Sequence, residues 1–207
     1  MKACRQTPEQ SVLEHGLSVW RHTQQLIGYL STGEISGTWR LPDWLETYRE
    51  HLLARLYPID VIEEYTTYHD CGKPYCEPTA ERRFPDHAER SYETWLAIGG
   101  DPEAAELMRR DMLVHTMKAV DVPEFCQHRG AATLLIVGLA EIHANAGMFG
   151  GLNSQSFKIK WNHLDRRGKA ICRKLFDVVP ARQLPSDPPI DVSAMIRALH
   201  MLGEFDD

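Results

Sequence analysis

The stretch Tyr68-His69-Asp70-Cys71-Gly72-Lys73-Pro74 decides how this chain is interpreted, because it joins a predicted helix to a helix stop. The preceding segment 58–68 has helical apolar spacing. Gly72 followed by Pro74 is typical of a helix end, since glycine adopts the left-handed conformation and proline cannot continue a helix. The stretch therefore predicts a helix that ends close to a set of polar side chains.

Those polar side chains suit a metal site. His69 and Asp70 are an adjacent imidazole and carboxylate in the last helical turn, a pair that zinc, manganese and iron accept. Lys73 lies just beyond the turn, where an ammonium can reach a phosphate oxygen held by the metal. The sequence thus indicates a metal site that handles phosphate.

The composition indicates one soluble domain with a substantial core. The chain has 207 residues, of which 43% are hydrophobic, and its net charge is −6. An acidic total argues against a general nucleic-acid coat. Residues 151–180 nevertheless carry seven Lys and Arg against two Asp, a local +5 that leaves −11 elsewhere. This segment is either a solvated basic helix or a surface for a polyanion.

Five cysteines without paired metal-ligand spacing predict a reduced, cytoplasmic protein. The N-terminus has no basic-then-apolar signal region, and no apolar run approaches the roughly 18 residues of a membrane span. We therefore expect no membrane partner.

Apolar periodicity and helix caps predict an all-α fold. An N-cap at Thr7 and a Pro at the next position place the start of the first helix there, and the apolar run 131–146 predicts a central helix. A proline-rich linker and a short helix are predicted in residues 179–207, after a domain of residues 1–178. The predicted helices are 7–30, 42–56, 58–68, 86–98, 102–115, 131–146, 158–178 and 192–202.

Further ligand-type side chains lie near the ends or inner faces of five of these helices, as in helical bundles that build a metal site from inward-facing residues. A metal held in this way would polarise a phosphoryl oxygen and lower the pKa of bound water toward about 7. The sequence does not decide between His15 and His22, or between Glu141 and His143, as the residues that complete the site. The candidates are His15 or His22, then His69, Asp70, His87, His115, and Glu141 or His143.

Three blocks of the chain resemble the HD-domain metal-dependent phosphohydrolases of the HDxGK subtype. They are His69-Asp70-Cys71-Gly72-Lys73-Pro74, Phe84-Pro85-Asp86-His87-Ala88-Glu89 and Leu113-Val114-His115. A fourth block, His15-Gly16-Leu17-Ser18-Val19-Trp20-Arg21-His22-Thr23, is similar to the first block of the HD domain of bacterial CCA-adding enzymes. The resemblance covers about residues 12–147.

The resemblance implies an HD-domain helical bundle with a metal site between the helices. It makes His22 the preferred first ligand, and His15 either a residue that supports the ligands or one on the substrate side. At the late position where the family has an Asp, this chain has His143, with Glu141 two residues earlier. The implied metal ligands are His22, His69, Asp70, His87, His115 and His143 or Glu141, with Asp70 and Lys73 catalytic and with Lys73, His15, Arg83 and Lys118 on the substrate.

The function implied by the resemblance is a metal-dependent phosphohydrolase, either a phosphomonoesterase or a phosphodiesterase. Its substrate would be a nucleotide or the phosphorylated or cyclic-phosphate end of an RNA. One or two ions of Mn, Fe, Zn, Co, Ni or Mg would serve as cofactor. A nucleotide-binding HD module without catalysis and a di-iron HD oxygenase are the alternatives, and the oligomeric state is left open.

Overall fold

The computed structural model describes residues 1–80 and 83–177, and this part of the chain contains helices but no strand, so the all-α prediction is confirmed. None of its helices is both long enough and apolar enough to cross a membrane. The predicted linker and helix in residues 179–207 lie outside the described residues. The helices are α1 (Val12–Thr32), α2 (Asp43–Thr47), α3 (Arg49–Leu53), α4 (Ile59–Tyr68), α5 (His87–Ala97), α6 (Pro102–Arg110), α7 (Leu113–Thr116), α8 (Val122–Phe125), α9 (Ala131–Ala144) and α10 (Gln155–Cys172).

The core is built around α9, the helix predicted from the most apolar run. Twelve of its 14 residues are buried, because α1 and α10 both pack against it. Helix α1 also packs against α4, and α5 packs against α6. The ends of α4 and α9 are thereby brought to the same side of α1. This places His69 and Asp70, which follow α4, opposite Glu141 near the end of α9.

The start of α1 differs from the prediction. The helix begins after Ser11 rather than at Thr7, so the predicted start is wrong. The Ser11 hydroxyl accepts a hydrogen bond from the Glu14 N–H at 3.2 Å, and the Glu14 carboxylate accepts one from the Ser11 N–H at 2.7 Å. This reciprocal capping box satisfies two donors at once, whereas Thr7 accepts from the Gln10 N–H in a separate turn.

Two long predicted helices are each divided in two. The segment 42–56 breaks at Tyr48, whose backbone leaves the helical region (φ −112°, ψ 18°) while its hydroxyl donates to Asp177. The segment 102–115 breaks between α6 and α7, where the buried Asp111 accepts a hydrogen bond from the Tyr65 hydroxyl of α4. In both places a tertiary hydrogen bond accompanies the break, and local propensity does not report such bonds.

Helix α10 starts at Gln155, three residues before the predicted start. The Ser154 hydroxyl accepts a hydrogen bond from the Phe157 N–H at 3.1 Å, which caps the first turn. The helix continues into a wider turn, Arg173–Asp177, at the end of the described residues. The seven Lys and Arg of the basic segment, from Lys158 to Lys174, therefore lie on α10 and the turn that follows it.

Candidate metal centre

His69 and Asp70 are buried directly after α4 ends at Tyr68, and Gly72 behind them is right-handed (φ −76°, ψ −20°), so the predicted left-handed glycine is wrong. His69 is 3% exposed and Asp70 is 1% exposed. The His69 Nδ1 donates a hydrogen bond to the Thr66 carbonyl at 2.7 Å, which directs Nε2 toward the Asp70 Oδ2, 3.3 Å away. A backbone carbonyl that orients the ring through the other nitrogen is the usual outer-sphere partner of a metal-binding histidine.

His15 approaches this pair from α1. Its Nε2 lies 3.7 Å from the Asp70 Oδ2 and 3.9 Å from the Glu141 Oε1 on α9. The ring is fully buried, yet neither of its nitrogens has a hydrogen-bond partner among residues 1–80 and 83–177. Buried polar atoms are nearly always paired, so this imidazole fits a ligand that points at a metal. The resemblance instead predicts that His15 supports the ligands or lies on the substrate side.

Two more histidines extend the cluster. The His87 Nε2 lies 3.8 Å from the Asp70 Oδ1, and the His115 Nε2 lies 3.0 Å from the Glu141 Oε2. Asp70 thus turns one oxygen to His15 and His69 and the other to His87. We call the set His15, His69, Asp70, His87, His115 and Glu141, together with Asp111, the His/Asp cluster.

Asp111 was not among the predicted site residues. Its ligand atom, with those of His69 and Glu141, forms a group whose members all lie within 4.8 Å of one another; the atoms of His15, His69 and Asp70 form a second such group. A signal was present in the sequence, because Asp111 is a carboxylate one helical turn after the apolar Leu107 and Met108 and one turn before His115.

His22 and His143 belong to neither group. The His143 Nδ1 donates to the Leu139 carbonyl at 2.8 Å, and its Nε2 accepts from the Arg40 N–H at 3.2 Å, so both ring nitrogens are already bonded to backbone. His22 and His143 instead contact the Trp39 ring, with centroids 5.6 and 4.3 Å away. The structure therefore places His15 rather than His22, and Glu141 rather than His143, in the cluster.

Lys73 lies inside the cluster. It is 7% exposed, and its Nζ contacts the Asp70 Oδ2 at 2.5 Å and the Gln6 Oε1 at 2.8 Å. This ion pair compensates the buried carboxylate, and contact of Lys73 with a phosphate stays a prediction.

The other two predicted substrate residues differ in placement. The Arg83 guanidinium lies 4.9 Å from the centre of the Phe84 ring, which Lys73 also approaches, and the Phe84 carbonyl accepts from the His87 Nδ1 at 3.1 Å. Arg83 is thus at the rim of the cluster. Lys118 is exposed, and its described hydrogen bonds join its backbone N–H and carbonyl to Asp121.

The cluster is strongly polarised. Although burial opposes charge, Asp70 raises the pKa of His69 to about 10, while His69 and Lys73 hold the pKa of Asp70 well below its usual range. Burial, aided by the charge of His69, lowers the pKa of His15 to about 4. Despite burial, the hydrogen bond from His115 keeps the pKa of Glu141 below its usual value. At neutral pH this gives anionic carboxylates facing a neutral His15.

The donor set fits a divalent metal. Imidazole nitrogens and carboxylate oxygens suit zinc, iron, manganese, cobalt and nickel, so the donors by themselves do not identify the ion. His69 is shared by the two groups of ligand atoms, which allows one ion or two neighbouring ions. The cluster could therefore hold a metal ion, as the sequence predicted, through a partly different set of residues.

Comparison with models of known protein families, with curated proteins and with solved structures finds no match to this chain.

Separate substitutions of Glu141 and His143 test which residue completes the site. We expect Glu141→Gln to weaken metal binding by at least about 10-fold, because it removes the anionic oxygen that faces His15 and His115. His143→Gln keeps an acceptor for the Arg40 N–H and is expected to bind metal like the parent protein. Isothermal titration with Mn²⁺ measures both. If His143→Gln weakened Mn²⁺ binding more than Glu141→Gln did, His143 rather than Glu141 would be the metal ligand.

Metal affinity is expected to rise with pH. Because the pKa of His69 is about 10 without metal, the ring is protonated at neutral pH and a metal must displace that proton. Below this pKa, one released proton changes the affinity about tenfold per pH unit. Titration calorimetry in two buffers of different ionisation enthalpy measures the proton release. An affinity that stays constant between about pH 6 and about pH 8 would contradict the expectation.

Proposed function

We propose that the protein is a metal-dependent phosphohydrolase acting on a nucleotide or on the phosphorylated or cyclic-phosphate end of an RNA. One observation carries the proposal: a buried ammonium, Lys73, lies 2.5 Å from a carboxylate, Asp70, that also faces three histidines. Metal ligands beside a fixed cation are what phosphoryl transfer requires, because negative charge must be neutralised on several oxygens at once. The HD-type sequence blocks support the same assignment.

The cluster has a buried side and an open side. The side chains of His15, His69 and Asp70 are 1–3% exposed, whereas those of His87 and His115 are each 19% exposed. A substrate would therefore approach from the side of His87 and His115. The inner residues would hold the metal, and the outer histidines would contact the scissile phosphate or hold a second ion.

A divalent metal bound by His15, His69, Asp70 and Glu141 would supply Lewis-acid polarisation of the phosphoryl oxygen and a water of lowered pKa. Asp70 would orient that water through its Oδ1, the oxygen that faces His87 rather than Lys73. Lys73 would neutralise charge on the phosphoryl group as the bond to the leaving group breaks. Arg83, at the rim beside Phe84, would contact an outer phosphate or the leaving group.

Asp111 favours a second candidate function. Together with Glu141 and His69 it offers two carboxylates and an imidazole, and ligand sets rich in carboxylate are typical of di-iron helical proteins. A di-iron oxygenase would use this group of residues for oxygen chemistry. Bound iron with oxygen consumption, and no release of phosphate, would favour this alternative.

The test combines metal analysis with a substrate screen. The purified protein is analysed for bound metals, stripped, and reloaded separately with Mn, Fe, Zn, Co, Ni and Mg. Each form is assayed for phosphate release from nucleotides and from RNA with a 3′-phosphate, and for opening of 2′,3′-cyclic phosphates. We expect metal-dependent turnover of at least one substrate class, lost in Asp70→Asn. A protein that binds nucleotide but turns over no substrate with any metal would be a binding module, which would overturn the proposal.

A further inference from the structure

The Lys73 ammonium has a second partner, Gln6, that is not among the predicted site residues. The Gln6 Oε1 accepts a hydrogen bond from the Lys73 Nζ at 2.8 Å, beside the contact of Nζ with Asp70. We propose that the Gln6 carboxamide and Lys73 together bind the phosphate of the substrate, and that they select phosphomonoesters over cyclic phosphodiesters. The claim that this phosphate belongs to a substrate rests on the proposed function. The claim that phosphate binds here rests on the contacts of the two side chains.

The chemistry of Lys73 fixes the orientation of the Gln6 carboxamide. An ammonium group only donates hydrogen bonds, so the atom of Gln6 that faces it must be the carbonyl oxygen. The Gln6 Nε2, with its N–H donors, is therefore directed away from Nζ. Nε2 makes no hydrogen bond with residues 1–80 or 83–177. Gln6 thus offers unpaired donors directly beside a buried cation.

Lys73 also retains a donor for a ligand. Its ammonium carries three N–H groups, and Asp70 and Gln6 accept two of them. The third has no oxygen acceptor in the described part of the chain, and the centre of the Phe84 ring lies 5.5 Å from Nζ. Available donors of Lys73 and Gln6 are therefore adjacent, an arrangement that suits an anion with several acceptor oxygens.

The backbone before α1 holds Gln6 in place. The Gln6 N–H donates to the Gln10 carbonyl at 2.9 Å, and the Val12 N–H donates to the Cys4 carbonyl at 2.9 Å. These bonds close residues 4–12 into a turn that leads into the capped start of α1, which also supplies a histidine of the His/Asp cluster. A carboxamide on such a fixed backbone loses less conformational freedom on binding than one on an open segment.

The two donors lie beside the open side of the His/Asp cluster. Phe84 links them to that side, because its ring approaches Lys73 and its carbonyl accepts from the His87 Nδ1 at 3.1 Å. The side chain of His87 is 19% exposed. Asp70 faces His87 through one oxygen and Lys73 through the other. A phosphate that enters past His87 and binds a metal at Asp70 would therefore come within reach of Lys73 and Gln6.

The number of partners distinguishes two classes of phosphate. A phosphomonoester has three non-bridging oxygens, and a cyclic phosphodiester has one fewer. A metal ion, Lys73 and Gln6 are three separate partners, so a monoester would satisfy all of them. A cyclic diester would leave one donor unpaired in a mostly buried site, which costs binding free energy. We therefore expect nucleoside monophosphates and RNA 3′-phosphates to bind better than 2′,3′-cyclic phosphates.

Binding is tested with the full chain loaded with Mn²⁺, by isothermal titration with methyl phosphate, a monoester, and with dimethyl phosphate, a diester. Gln6→Glu keeps the shape of the side chain and an acceptor for Lys73 but removes the donors. We expect it to weaken binding of methyl phosphate by at least about tenfold, because a carboxylate repels the phosphate that the carboxamide would bind. If Gln6 only positioned Lys73, Gln6→Glu would bind methyl phosphate as tightly as the parent protein.

Gln6→Met removes the donors without adding charge. We expect it to weaken binding of methyl phosphate about tenfold and of dimethyl phosphate less than about threefold, since the diester has no oxygen left for Gln6. Its affinity for Mn²⁺ should stay within about twofold of the parent, because Gln6 is not a metal ligand. This measurement also shows that the variant is folded.

Gln10→Glu is the matched control for charge. Gln10 lies in the same turn and is half-buried like Gln6, but its side chain makes no described contact with Lys73. We expect this variant to bind methyl phosphate within about twofold of the parent, because a carboxylate without direct contact is screened by solvent and salt.

Three results would overturn the inference: parent-like binding of methyl phosphate by Gln6→Glu, equal loss of the two esters in Gln6→Met, or equal loss in Gln10→Glu and Gln6→Glu. Failure here and failure of the proposed function are distinguishable. Binding of methyl phosphate that depends on Gln6, without phosphate release from any substrate, would keep the phosphate site and remove the hydrolysis. Phosphate release by Gln6→Met with the parent's preference between 3′-phosphate and cyclic-phosphate RNA would keep the phosphohydrolase and remove Gln6 from its site.

Discussion

Asp70→Asn is expected to lower metal affinity by at least about 100-fold and to abolish phosphate release. The carboxylate faces His15 and His69 through one oxygen and His87 through the other, and it pairs with Lys73. Asparagine keeps the shape but removes the charge. The buried cations are then uncompensated, so we also expect unfolding free energy to fall by about 3 kcal/mol in the metal-free protein. Metal analysis, isothermal titration and denaturant unfolding measure these effects.

The control for this prediction is Asp60→Asn, the same substitution at an exposed position in α4, the helix that precedes Asp70. It should leave metal content and turnover unchanged. Because lost folding would also remove the metal, Asp70→Glu is measured alongside: it keeps the charge, and we expect a folded protein with part of the metal affinity. Full metal content and turnover in Asp70→Asn would show that the cluster is not the metal site.

Gly16→Ala is expected to destabilise the fold by about 3 kcal/mol or more and to weaken metal binding. A Cβ at this position would lie 2.0 Å from the Thr67 carbonyl oxygen and 3.2 Å from the Thr66 carbonyl oxygen. Both contacts are with the backbone of α4, which a side-chain rotation cannot relieve. Helix α1 must move away from α4, and since His15 is adjacent to Gly16, its ring would leave Asp70.

Gly28→Ala is the matched substitution. Gly28 lies on the same helix, and a Cβ there would meet no atom of the described residues within 4 Å. Alanine is the better helix former, so we expect a gain of about 0.5–1 kcal/mol. Urea unfolding compares the two variants, and titration with Mn²⁺ reports the site. If Gly16→Ala unfolds at the same urea concentration as Gly28→Ala, the close approach of α1 to α4 is not present in solution.

Local sequence determined the parts of this protein that depend on neighbours along the chain. The all-α class follows from helical spacing and caps, and the end of α4 beside His69 and Asp70 was predicted, although Gly72 is right-handed rather than left-handed. The run 131–146 predicted the central helix, because an apolar stretch of that length must be buried. Local sequence did not predict the start of α1, where Ser11 forms the capping box, or the breaks in two helices, where a tertiary hydrogen bond is made.

Only the tertiary structure selected the members of the cluster. His15 and His22 lie two turns apart on one face of α1, about 10.5 Å along the axis, so periodicity cannot choose between them. The close approach of Gly16 to Thr67 selects His15, because it brings His15 beside Asp70. Glu141 and His143 interrupt a helix that is buried on nearly all sides. Such a helix has no polar face, so the sequence does not show which of the two side chains points toward Asp70.

The same reason applies to Asp111, whose role depends on Tyr65 and Glu141 from other helices. The sequence by itself therefore determined that His69, Asp70 and Lys73 lie together at a helix end, because a single turn of backbone holds them. Which histidine and which carboxylates complete the site was decided by the positions at which α1, α4, α6 and α9 meet, and these are set by packing between residues far apart in the chain.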